Sequence, residues 1–68
     1  MSKRMSKTLA AEIADRTLAI VNPANRALAL RAALQRHGFA AREPDAAALQ
    51  DSKALSAWLL TTYAPQTS

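Results

Sequence analysis

The chain has 68 residues, half of them apolar, with nine Lys or Arg against five Asp or Glu, a formal net charge of +4, one Gly and no Cys. That excludes a disulfide framework, thiolate catalysis and cysteine-ligated zinc, and leaves room for one small core, since a chain near 60 residues buries only about 60% of its unfolded surface. No stretch approaches the roughly 18 consecutive apolar residues of a membrane span, and no apolar leader segment follows the basic start, so a cytoplasmic protein is expected.

Residues 1–7, Met-Ser-Lys-Arg-Met-Ser-Lys, carry no apolar periodicity and read as a mobile basic arm. A single helical domain is expected over 8–64, with 65–68 a frayed tail. A first helix is predicted over 8–21, capped by Thr8 or Ser6, with Glu12 placed to pair with Arg16 one turn on. At about 100° per residue Leu9, Ala10, Ile13, Thr17, Ile20 and Val21 share its apolar face. Glu12 and Asp15 within it argue against a transit peptide, which is poor in acids.

The second helix is the best specified. Asn22 can cap its first turn, and Pro23 lacks an N–H that would be orphaned there. Gly38 can take the left-handed conformation that ends a helix, with Arg36 and His37 in the last turn where the dipole favours cations. Good helix formers fill the interval. Ala27, Leu30, Ala33 and Leu34 form one apolar stripe, and Ala24, Leu28 and Ala32 form another on nearly the opposite side. A helix apolar on two sides is buried between neighbours or shared between its own core and a second chain. On this reading the second helix is either the centre of the monomer or the seam of a dimer. Arg26, Arg31 and Arg36, spaced by five, spread round the helix at roughly 140° steps and form no single ridge.

Phe39 is expected to fold back on the last turn after the Gly38 cap. Glu43 can cap, Pro44 can occupy a first turn and Asp45 can sit at a positive helix end, which predicts a third element over 44–63. Ser52 could restart a helix and kink the element; one helix is the favoured reading. Ala48, Leu55, Trp58, Leu59 and Thr62 share a face on it, and Pro65 ends it. The expected fold is all-α: a small three-helix bundle, a helical hairpin plus a third helix, in a dimer.

Charge is uneven along the chain. Residues 1–42 hold eight basic residues against Glu12 and Asp15, and 43–68 hold Lys53 against Glu43, Asp45 and Asp51. Such a polarity can steer an acidic partner or align two copies head to tail.

The chemistry offered is sparse. A single His cannot assemble a metal cluster of nitrogen and thiolate ligands, nothing pairs a nucleophile with a base, and no glycine-rich phosphate loop is present. No catalytic residue, metal or cofactor is assigned, and an enzyme is not expected. A helix-turn-helix centred on Gly38 would put Pro44 inside the reading helix, which proline disrupts. The expected function is a regulatory module that binds or masks a larger protein, adaptor or inhibitor, homodimeric through Ala24, Leu28, Arg31, Ala32 and Gln35. Small residues there let a second helix approach, and Arg31 and Gln35 supply a polar rim. The alternative is a nucleic-acid-associated accessory protein contacting phosphate through Lys3, Arg4, Lys7, Arg26, Arg36 and Arg42. The Ala- and Arg-rich composition associates with high-GC bacteria, their phages and plasmids.

Overall fold

Ser6 is extended and its hydroxyl accepts from the Leu9 N–H at 3.0 Å, which starts the first helix one residue before the sequence-based boundary. In this computed structural model, which describes residues 5–63, the elements are α1 (Lys7–Leu18), α2 (Pro23–Arg36), a single 3₁₀ turn (Ala48–Gln50) and α3 (Ser52–Thr62). The molecule is a small all-α three-helix bundle.

The end of α1 shows why periodicity alone overran it. Asn22 must be extended, at φ −77° and ψ 119°, both to cap α2 through its Oδ1 and because Pro23 follows. The chain therefore leaves the helix after Leu18, with the Ala19 N–H closing on the Asp15 carbonyl and the Ile20 N–H on that of Thr17. Val21, predicted on the core face, is 87% exposed. Ala14, not assigned to that face, is buried beside Ala10, Ile13 and Thr17.

The far end of α2 follows the expectation closely. Gly38 has φ 86°, the Gly38 N–H donates to the Gln35 carbonyl, and the Phe39 N–H reaches back to the Leu34 carbonyl at 2.8 Å. These two bonds make a Schellman motif, and Phe39 joins Leu34 in the core.

The third element departs from the favoured reading of one helix over 44–63. No helix begins at Pro44; Glu43 instead lies 3.7 Å from Arg31 in an exposed ion pair. Asp51, extended at φ −142°, caps α3 by accepting from the Lys53 N–H at 3.3 Å, a role the sequence reading gave to Ser52. In a continuous helix the Leu49 carbonyl would accept from Lys53. Here it accepts from Arg26 Nη1 at 2.9 Å, so both partners of that bond are engaged elsewhere and the helix is interrupted.

The core gathers Leu30 and Leu34 of α2, Leu55 and Leu59 of α3, and Ala10, Ile13 and Ala14 of α1, closed by Met5, Phe39 and Ala48. Each fully buried Leu contributes roughly 1.5–3 kcal/mol. α1 is the central element: it packs against both other helices, most extensively against α3, whereas the backbones of α2 and α3 do not approach closely. The centre of the monomer is therefore α1, not α2. Met5, within the stretch read as an arm, is buried, and residues 1–4 lie outside the described residues.

An aromatic corner ties the C-terminal end of α3 to the Gly38 turn. The Tyr63 ring meets Phe39 edge-on with centroids 5.2 Å apart and Trp58 at 6.1 Å, and its hydroxyl donates to the Ala40 carbonyl. Aromatic pairs in such edge-on geometry add about 0.5–1.5 kcal/mol beyond area burial. Trp58 is half-buried against the core, in keeping with its position in register with Leu55 and Leu59.

Candidate functional surface on helix 2 and its groove

Placed on the fold, the two apolar stripes of α2 have opposite fates. Leu30 and Leu34 are 1% and 0% exposed, with Ala33 packed against the core. Ala24 and Ala32 are exposed, and Leu28 is 61% exposed; with Val21 it is one of two large apolar side chains left to solvent among the described residues. Neither α1 nor α3 covers the second stripe. Gln35 and Arg31 are exposed beside it, and Arg31 makes the ion pair with Glu43. With side chains more than half exposed on both sides, that pair contributes under about 1 kcal/mol and leaves Arg31 able to reorient.

The basic residues assigned to phosphate or an acidic partner are not equivalent. Lys3 and Arg4 lie outside the described residues. Lys7 is exposed at the first position of α1, and Arg42 is exposed in the segment after Gly38. Arg26 differs: its Nε donates to the Ile20 carbonyl and its Nη1 to the Leu49 carbonyl, so one half-buried guanidinium joins the α1–α2 connection to the 3₁₀ turn. Its role is structural. It satisfies the Ile20 carbonyl in the α1–α2 connection and occupies the Leu49 carbonyl that a continuing helix would use.

Arg36 is exposed on the rim of a groove between α1 and α2, a concavity of about 260 Å³. Its apolar lining comes from Ile13 and Ile20 on one helix and Ala29, Ala32 and Ala33 on the other, with Thr17 between. Glu12, Arg16, Arg36 and His37 edge it. Glu12 is held by Arg16 at 3.2 Å, whereas Arg36 has no carboxylate within ion-pair distance among the described residues. Ala32 belongs both to the groove and to the exposed stripe, so the apolar surface continues from Leu28 over the edge of α2 into the groove.

No family model, curated protein or solved structure matches this chain. The surface must therefore be read from its own chemistry. Sequence reasoning found the stripe but not the groove, because Ile13 and Ile20 looked like ordinary core positions. The signal available was the alanine run Ala29, Ala32 and Ala33, whose small side chains leave a furrow beside bulkier residues on the neighbouring helix.

Elsewhere little chemistry is assembled. A shallow hollow between α1 and α3 is lined by small residues with Asp15 and Lys53 on it. Among the described residues no three His, Asp or Glu side chains converge as metal ligands, and no buried side-chain polar atom lacks a partner. No described helix is long and apolar enough to cross a membrane. Burial raises the Tyr63 phenol above its ordinary pKa of 10.0, against the opposing influence of the Arg42 charge.

Proposed function

We propose that this protein is a non-enzymatic, protein-binding regulatory module that uses the outer face of α2 to engage another chain, either a larger protein that it masks or, in a homodimer, a second copy. The observation that carries this reading is Leu28, 61% exposed between exposed Ala24 and Ala32, on nearly the opposite side of α2 from the buried Leu30 and Leu34. An apolar surface of this kind on a small domain, rimmed by Arg31 and Gln35, is the anatomy of a binding face. A cytoplasmic location and an origin in a bacterium or its mobile elements belong to the same proposal, and the latter rests on composition alone.

The nucleic-acid reading is weaker. Lys7, Arg36 and Arg42 are exposed cations, but Arg26 is engaged by two backbone carbonyls and the outer face of α2 is apolar. It predicts micromolar or tighter binding that collapses with added salt, which a DNA titration at two ionic strengths would reveal.

Site-specific photo-crosslinking in the native cell tests the main reading. A photoreactive residue at position 28 should give a discrete adduct with a larger protein or with a second copy, and the same residue at exposed position 57 on α3 should not. Equal adducts from both positions, or none from position 28, would overturn the assignment of this face.

A further inference from the structure

Because the apolar surface of α2 runs into the α1–α2 groove, the groove states what kind of chain would fit. We propose that it receives an acidic amphipathic helix of the partner protein, lying along α2 with its apolar side on Ile20, Ala29, Ala32 and Ala33 and a carboxylate on Arg36. This rests on the reading of α2 as a protein-binding face.

Three observations lead to it. First, the floor is built of small residues on one helix and branched ones on the other, a furrow in which a third helix can approach closely. Second, the lining runs over residues 29–37 on one side and 12–20 on the other, about 12 Å at 1.5 Å per residue, which matches two to three turns of a partner helix with apolar anchors at i, i+3, i+4 and i+7.

Third, the charge left unpaired at the groove is positive. α2 contains Arg26, Arg31 and Arg36 and no acid. Of the acids near the groove and the stripe, Glu12 is engaged by Arg16 and Glu43 by Arg31, which leaves Arg36 unanswered among the described residues. A second copy docked through the same face offers Arg36 no carboxylate from its α2. An acidic helix supplies the opposite charge, which complements the surface and speeds encounter.

The test uses the full chain and two synthetic helical peptides of about four turns, identical in their leucine anchors, one flanked by glutamates and the other by lysines at the same positions. The glutamate peptide should bind and weaken with added salt, and backbone amide shifts should map it to Ile20, Ala29 and Ala33 as well as Leu28. Exchanging glutamate for lysine should weaken binding more than about tenfold, the order expected when like charges are juxtaposed. In the variant Arg36→Glu, with helicity checked by circular dichroism, the preference between the peptides should move toward the lysine form.

Other outcomes overturn the proposal in distinguishable ways. If both peptides bind equally and shift only the outer face around Leu28, the groove and its charge are not the site, while the binding face of α2 stands. Failure of both peptides to bind a chain that self-associates through Leu28 would make a second copy the occupant. If neither peptide binds and Leu28 mediates no contact, this inference and the proposed function both fall.

Discussion

The two faces of α2 present the same residue types to different surroundings. Leu30 and Leu34 share the core with Leu55, Leu59 and the α1 alanines and are sealed from water, whereas Leu28, within the same two turns, is mostly exposed. Propensity and patterning treat all three leucines alike. What separates them is that the core closes over one side of α2, with α1 against it, and nothing in the described chain covers the other. One face therefore carries stability and the other lies open to solvent, and substitutions should separate the two.

The largest effect is expected at the buried face. Leu34→Ala should cost about 2–5 kcal/mol, the range for a buried Leu that leaves a cavity, and in a domain this small that approaches the whole folding free energy. Urea denaturation followed by circular dichroism measures it. A cost below about 1 kcal/mol would mean that the core closes without α2, and the contrast between the faces would fail.

Arg26→Met comes next. It keeps the aliphatic stem and removes both carbonyl contacts, so roughly 1.5–3 kcal/mol should be lost, as for hydrogen bonds from a charged donor. Amide hydrogen exchange should show faster opening around residues 48–51 than in α1. Unchanged stability, together with weakened binding of an acidic peptide, would return Arg26 to the binding surface.

A smaller loss is expected at the Gly38 turn. A side chain there must sit at φ 86°, which costs about 1–2 kcal/mol for a residue other than glycine, so Gly38→Ala should lower the melting temperature by several degrees. Tyr63→Phe removes the bond to the Ala40 carbonyl and should cost about 1 kcal/mol.

The same tyrosine gives a pH dependence of known sign. Its folded pKa lies above the ordinary 10.0, so folding favours the neutral phenol. The stability from that preference is complete below about pH 10 and is lost as pH rises through the raised folded value. Tyr63 is the single tyrosine, so tyrosinate absorbance reports it alone, and a folded-state midpoint at or below the ordinary value would contradict the packing described at this corner.

The smallest effect on stability should come from the exposed face. Leu28→Glu should change the unfolding free energy by no more than roughly 0.5 kcal/mol, as for surface sites away from special features. It should at the same time abolish whatever binding or self-association α2 mediates, seen by sedimentation or light scattering against the wild type. A stability loss comparable to that of Leu34→Ala would place Leu28 inside a core, and the two faces would no longer differ.

The sequence by itself determined what local chemistry can determine. The boundaries of α2 follow from Asn22, Pro23 and Gly38 because capping bonds join residues two to five positions apart. The all-α class and the existence of two stripes on α2 were legible from a 3.6-residue period. Tertiary structure decided the rest. Which stripe is buried depends on where α1 lies, and α1 proved to be the centre because its backbone alone lies close to both other helices. The break at Asp51 depends on Arg26 reaching the Leu49 carbonyl, 23 residues away in the chain, and Val21 is exposed because α1 stops early to let Asn22 cap. Contacts of that separation leave no periodic trace in the sequence, and the groove between α1 and α2 exists only once the two helices have met.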